Sequence, residues 1–346
     1  LLSFLADCKQ RATELRIPQL VNISLDVFHI DPLAILEAVY EPQNQHFFME
    51  NPGMDNSVAA IETVLNKTAS GPRRFQEIKE WAGKLLQYTL FTGDTDSPYC
   101  GIHFFCAFNF FDEGQDVPGF PSGQAFVPVW QVSKKEQFSL AIANCMVDAD
   151  TSIELIGKRI LGAHQRFSTF PYQRKEKDGE KSELHWIAEK ECGEVDSFEQ
   201  SVEQAILAIE AREYEKIVLA RAVDFQADAD LSPLGFLDRL RNRFPSCYTF
   251  SYSAGLDGTF LGSTPELLIR IKDGRLQADA LAGSTGRGSS LGEDAALGAA
   301  LLNSEKDARE HQSVIHSIVN RLQELNLDPE VASKPRLLKL QNLQHL

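Results

Sequence analysis

The chain has 346 residues, of which 43% are apolar and 9% aromatic, enough for the packed core of one large domain or two small ones. Its 34 lysines and arginines are outnumbered by 49 aspartates and glutamates, and the net charge of −15 argues against a broad surface for nucleic acids or anionic membranes. Because the chain is so acidic, an anionic ligand would need a local positive site or a metal ion. No apolar run reaches the roughly 20 residues that span a bilayer.

The six cysteines are scattered, with no Cys-x-x-Cys pair and no regular spacing. A chain of this size needs no disulfide framework, so they predict free thiols in a reducing compartment, the cytoplasm. The first residue is leucine, which leaves open the removal of an organellar targeting peptide.

The N-terminal part predicts a sheet flanked by helices. Residues 100–111 and 125–133 contain short stretches of alternating apolar side chains, typical of half-buried antiparallel strands. Apolar side chains at helical spacing predict helices at 58–68 and 73–90. Helices interleaved with hairpin-like strands predict the α+β class.

A charged segment at 171–183 lacks apolar periodicity and predicts a solvated loop. We place a linker over 171–195, between an N-terminal half-sheet with helices over 1–170 and a second region over 196–346. This last region is predicted to start with a helix at 197–214.

A second helix is predicted from Pro233 to about Arg243, because proline is tolerated at the first helical position. A third is predicted to begin near Ser304, with Val314 and Ile318 on its apolar stripe.

Lys216 opens the apolar segment KIVLAR (216–221), which predicts a strand. A charged side chain at the end of an element is usually solvated. A lysine among apolar neighbours can instead lose its proton and act as a general base. Glu266 follows Pro265 in a turn that could present its carboxyl group to a cleft, although a surface acid is the commoner case.

The glycine-rich segment LAGSTGRG (281–288) could bring backbone N–H groups close to a ligand, or form an ordinary hairpin turn. In NSEKDAREH (303–311), Glu305 and Asp307 suit the first turn of a helix, where acids interact favourably with the dipole. His311 is expected to face solvent or to pair locally.

Four segments, YEKIVLAR (214–221), FLGSTPELLI (260–269), DALAGSTGRG (279–288) and NSEKDAREH (303–311), together resemble the chorismate-utilising enzymes. This family comprises isochorismate, salicylate and anthranilate synthases, and the chain is most similar to the isochorismate synthases. The resemblance implies a chorismate-binding fold of two packed, largely antiparallel β-sheets with helices on the outside.

The resemblance also implies roles for individual residues. Lys216 would activate water for attack at ring carbon 2 of chorismate, and Glu266 would protonate the departing 4-hydroxyl group. Anthranilate synthases typically have glutamine at the lysine position, so Lys216 favours a water-using enzyme. Glu310 would ligate a Mg²⁺ ion that also binds a substrate carboxylate. The residues expected to border the substrate are Ala282, Gly283, Ser284 and His345.

The expected partner is chorismate alone, with no nucleic acid, no membrane insertion and no glutaminase subunit, in a monomer or homodimer. The long N-terminal half suggests the quinone branch (menaquinone or phylloquinone) over the siderophore branch. A salicylate synthase, which shares Lys216 and Glu266, remains the alternative, as does a non-catalytic chorismate-binding homologue.

Family enzymes continue beyond the position of Leu346 with a second metal glutamate and carboxylate-binding residues. The chain is therefore expected to be truncated and, alone, to convert little or no chorismate.

Overall fold

The computed structural model describes residues 1–112, 119–169, 185–192, 197–214, 216–255 and 258–346. The charged loop predicted at 171–183 lies outside the described residues. The chain divides into two compact units, Leu1–Gln173 with Pro233–Leu267 and Arg174–Ser232 with Leu268–Leu346. The polypeptide therefore leaves the first unit, returns to it once and leaves it again.

The helices in the described residues are α1 Leu2–Leu15, α2 Pro32–Val39, α3 Arg74–Tyr88, α4 Ile153–Ser168, α5 Ser197–Glu210, α6 Pro233–Arg243, α7 Leu291–Leu302 and α8 Glu305–Glu324. The strands are β1 Gln19–Asp26, β2 His46–Asn51, β3 Asn56–Ala69, β4 Thr89–Thr92, β5 Phe105–Phe108, β6 Gly123–Lys135, β7 Phe138–Val147, β8 Trp186–Cys192, β9 Ala222–Ala227, β10 Tyr248–Ser253, β11 Phe260–Thr264, β12 Arg270–Lys272, β13 Arg275–Gln277, β14 Ser284–Gly286, β15 Leu338–Lys339 and β16 Leu343–His345.

The first unit is built on one large sheet. Its described strands follow the order β11-β10-β2-β3-β6-β7-β1-β4, and β5 pairs with β6 as a ninth strand. All neighbours are antiparallel except β1 and β4. Apolar side chains of α1, α2, α4 and α6 pack on this sheet in a core that includes Leu5, Leu36, Phe48 and Leu237. The predicted α+β class is confirmed.

The predicted helix at 58–68 is wrong, because these residues belong to the long strand β3. This strand pairs with β2 on one side and with β6 on the other, and hydrogen bonding on both edges outweighs local helical preference. A β-bulge between Thr63 and Leu65 shifts the alternation of side chains between the two faces of the sheet. The spacing of the apolar residues in β3 therefore resembles that of a helix. The predictions at 73–90 and 125–133 are confirmed by α3 and β6, whereas 100–111 contains only the short strand β5.

The returning segment, residues 233–267, supplies α6, the edge strand β11 and its neighbour β10 to the first unit. Helix α6 begins at Pro233 as predicted. Its Arg241 guanidinium lies 2.9 Å from Asp31 at the start of α2 and 3.3 Å from Glu50 in β2. A single arginine therefore ties this late segment to two early elements.

The second unit contains α5, α7, α8 and three small sheets, β8-β9, β12-β13 and β14-β16-β15. Helix α5 confirms the one predicted near 197–214. The strand predicted at 216–221 is wrong, because β9 starts only at Ala222, where it pairs with β8. An extended apolar segment becomes a strand when a neighbour pairs with it, and no described strand pairs with 216–221.

None of the described helices is long and apolar enough to cross a bilayer. All six cysteines lie in described residues, and each is a free thiol.

Candidate active site

Helix α8 carries the predicted metal ligand. Its N-cap is Ser304, whose hydroxyl accepts a hydrogen bond of 3.2 Å from the backbone N–H of Asp307, confirming the predicted helix start. Glu310 lies one turn further on, beyond the part of the helix in which the dipole alone favours an acid.

Lys216 and Glu310 meet in an ion pair. Lys216 Nζ donates to Glu310 Oε1 over 2.9 Å, and each side chain is 34% exposed. The segment after residue 215 is thereby held against the second turn of α8. The predicted base and the predicted metal ligand are direct neighbours.

The ion pair lines an open cavity of about 750 Å³. Residues 216–219 form one wall, and the other wall is a face of α8 with Lys306, Arg309, Glu310, Gln312, Ser313 and His316. Lys216, Lys306 and Arg309 contribute three cations against the single carboxylate of Glu310. The cavity therefore offers a local positive site for an anionic ligand in a strongly acidic chain.

The glycine-rich segment lies against the first turns of α8. Gly283 has φ of +76°, and a Cβ atom there would lie 3.0 Å from Asp307 Cβ. Only glycine adopts this conformation so close to the helix without strain. His311 Nε2 donates to the carbonyl of Ala280 over 3.1 Å and is 7% exposed. The expectation that His311 faces solvent or pairs locally is wrong, because its ring anchors a segment 31 residues earlier in the chain.

Ser284 and His345 face each other across β14 and β16. Their Oγ and Nδ1 atoms are 2.7 Å apart in a hydrogen bond whose direction depends on the histidine tautomer. Beside them, the N–H of Ala282 donates to the carbonyl of Leu346, and the N–H of Leu346 donates to the carbonyl of Gly283. The structure thus brings together the four residues predicted to border the substrate, although none of them lines the cavity beside Lys216.

Glu266 belongs to the first unit, whereas Lys216 belongs to the second. Glu266 is exposed just after β11, and its backbone N–H donates to Thr264 Oγ1 over 3.2 Å. Its pairing with Lys216 as acid and base stays a prediction.

The family model described as chorismate binding enzyme matches residues 4–346. The chain belongs to the chorismate-binding enzymes. Among curated relatives, the salicylate biosynthesis isochorismate synthase of Pseudomonas aeruginosa is 27% identical over 95% of this chain and 67% of that protein. The isochorismate synthase MenF of Bacillus subtilis is 24% identical over 97% of this chain and 72% of its own length.

Among solved structures, MenF, the menaquinone-specific isochorismate synthase from Escherichia coli, matches this chorismate-binding enzyme with a TM-score of 0.70. The match covers 99% of this chain and 74% of that one at 20% sequence identity. This similarity confirms the predicted chorismate-binding fold.

The described residues of this chorismate-binding enzyme contain no group of three or more histidine, cysteine, aspartate or glutamate side chains placed to hold a metal ion. Mg²⁺ usually keeps several waters and takes one or two protein carboxylates. The carboxylate of Glu310, which is one-third exposed, therefore fits Mg²⁺ as a single ligand if the ion replaces its contact with Lys216.

Sequence reasoning missed several residues around the site. Lys306, Arg309, Ser313 and His316 recur on α8 at intervals of three or four residues, a spacing that places them on one face and could have revealed the cationic wall. Asp294, in the first turn of α7, gave no such signal, because its partners Lys339 and Gln344 lie 45 and 50 residues away in the chain.

Proposed function

We propose that this protein is an isochorismate synthase, which converts chorismate into isochorismate. The observation that carries the proposal is the Lys216–Glu310 pair in a cation-lined cavity, within a chain that belongs to the chorismate-binding enzymes. Chorismate carries two carboxylates, and Lys306 and Arg309 supply positive charge for a dianion even when the Lys216 amine is neutral. The names of two relatives, both isochorismate synthases, support the same reaction.

In the proposed reaction, a water oxygen forms a bond to ring carbon 2 while the bond between carbon 4 and its hydroxyl group breaks and the ring double bonds shift. Lys216 takes a proton from the water, and Glu266 gives a proton to the departing hydroxyl group. One water enters and one leaves, so the reaction is an isomerisation. Lys216 can act as the base only when its amine is neutral and released from Glu310.

We further propose that Mg²⁺ is the cofactor and that Glu310 is one of its ligands. When bound, the ion supplies positive charge that neutralises a substrate carboxylate. A place in quinone biosynthesis is proposed as well, and the menaquinone-specific enzyme that shares the fold is its support.

Turnover of chorismate tests the proposal. The natural protein that contains these residues is incubated with chorismate and Mg²⁺, and products are separated by chromatography and identified by mass. We expect isochorismate, and we expect its formation to fall by about 100-fold or more in Lys216→Gln, the usual range for loss of a general base. Lys190→Gln, an exposed change in β8, is the matched control.

Other outcomes of this experiment would contradict the proposal. Salicylate together with pyruvate would identify a salicylate synthase. Chorismate that binds without being consumed would leave a non-catalytic binding protein. An equal loss of activity in both lysine variants would remove Lys216 from the mechanism.

A further inference from the structure

Asp294 stands in the first turn of α7, where an acid is common. Its side chain is nevertheless only 8% exposed and accepts hydrogen bonds from several residues. Arg287 donates to it through Nε and Nη2 over 2.6 and 3.1 Å, and Lys339 Nζ donates over 2.9 Å. Gly288 N–H and Gln344 Nε2 approach within 3.2 and 3.3 Å. A first-turn acid needs none of these contacts.

Each partner lies in, or directly after, a strand of the small sheet that carries predicted substrate residues. Arg287 directly follows β14, Lys339 lies in β15, and Gln344 precedes His345 in β16. The Gln344 amide also donates to the backbone carbonyl of Asp294 over 3.1 Å, and Gln344 is fully buried. One carboxylate thus joins the start of α7 to all three strands.

The contact between α7 and the sheet is close as well as polar. A Cβ atom at Gly288 would lie 2.2 Å from the Asp294 nitrogen, and one at Gly298 would lie 2.8 Å from Gln344 Oε1. Gly288 meets the backbone of α7, and Gly298 of α7 meets the Gln344 side chain, so the strands have little room to shift. The hydrogen bonds from Arg287 and Lys339 hold the pKa of Asp294 well below its usual range, so the carboxylate stays charged at any physiological pH.

We infer that Asp294 is a positioning residue of the active site: by fixing β14, β15 and β16 together, it places Ser284 and His345 for the substrate. The inference rests on the proposed function, in which these two residues border chorismate. Asp294 itself is not a catalytic residue, because its contacts are with the sheet.

Asp294→Asn tests this role, since it keeps the shape and removes the charge. Glu293→Gln is the matched control, because among the described residues the Glu293 carboxylate accepts hydrogen bonds from Ser289 alone. Hydrogen exchange of the Ala282 and Leu346 amides is measured beside kcat and KM for chorismate. We expect exchange at these amides to rise about tenfold and kcat/KM to fall about tenfold in Asp294→Asn, with neither change in Glu293→Gln.

A second variant keeps the test decisive if Asp294→Asn does not fold. Lys339→Gln removes one partner of the carboxylate at a side chain that is 44% exposed, and a smaller change in the same direction is expected. Unchanged exchange in the folded variants overturns the inference. Faster exchange with unchanged kcat/KM also overturns it, because the strands would then be loosened without consequence for the site. If the unmodified protein does not convert chorismate, the proposed function fails by itself, and exchange alone decides whether Asp294 holds the strands.

Discussion

Lys216 Nζ and Glu310 Oε1 lie 2.9 Å apart, although 94 residues separate them in the chain. The pair joins the segment at 216–221, which has no described strand partner, to the second turn of α8. Each side chain is one-third exposed, so the ion pair contributes little to stability. It places an amine and a carboxylate at one point of a cavity that otherwise carries positive charge.

Glu310→Gln is expected to weaken Mg²⁺ binding and the Mg²⁺ dependence of turnover, because a neutral amide is a poor ligand for a hard cation. We expect the Mg²⁺ concentration for half-maximal activity to rise about tenfold or more, which corresponds to the loss of one charged ligand. Calorimetric titration with Mg²⁺ alone and activity titration measure it. Glu305→Gln, in the first turn of the same helix, is the control. Equal Mg²⁺ affinity in both variants would exclude Glu310 as a ligand.

Gly283→Ala is expected to destabilise the second unit by about 1–2 kcal/mol and to lower kcat/KM, because alanine is strained at positive φ. The new methyl group would also meet Asp307 at 3.0 Å and push the segment away from α8. Gly286→Ala is a control in the same segment, since a Cβ atom there meets no neighbour within 4 Å. Urea unfolding and chorismate kinetics give the comparison. Equal behaviour of the two alanine variants would show that the contact with Asp307 is unimportant.

Stability is expected to fall as the pH drops from about 6.5 towards 4, because of His46. Burial lowers the pKa of His46 from 6.5 to about 4, and its Nε2 lies 2.7 Å from Ser251 Oγ. The unfolded chain therefore binds a proton in this range before the folded chain does, which favours unfolding. The full loss is at most about 3.5 kcal/mol, since each pKa unit corresponds to roughly 1.4 kcal/mol.

Urea unfolding between pH 4 and 8 measures this dependence. The slope is expected to flatten in His46→Gln and to persist in His29→Asn, which changes an exposed histidine with positive φ. An unchanged slope in His46→Gln would assign the acid sensitivity to other groups.

Arg241→Met is expected to destabilise the first unit by about 3–5 kcal/mol, the usual cost of leaving a buried charge without its partner. The Glu50 side chain is only 16% exposed, and burial already raises its pKa despite the nearby guanidinium. Urea unfolding of the single variant and of Arg241→Met with Glu50→Gln measures the effect, and the second change should recover part of the loss. Arg239→Met, exposed on the same helix, should cost little. No recovery in the double variant would shift the cause to lost packing.

Elements that depend on local signals could be predicted from the sequence. Pro233 marks the start of α6, Ser304 caps α8, and the periodicity of 73–90 predicts α3, because capping and helical packing depend on residues a few positions apart. The four motifs likewise identified the family, since side chains of particular chemistry stand at particular positions of the chain.

Features that depend on distant partners could not be predicted and appear only in the folded structure. Residues 58–68 are a strand because β2 and β6 pair with them on both sides, whereas 216–221 is not a strand because no described neighbour does. His311 is buried and donates to the carbonyl of Ala280, 31 residues earlier in the chain. Asp294 is hydrogen-bonded to Gln344, 50 residues later. Hydrogen bonds and ion pairs act over about 3 Å in space, and sequence periodicity does not report which remote segments come that close.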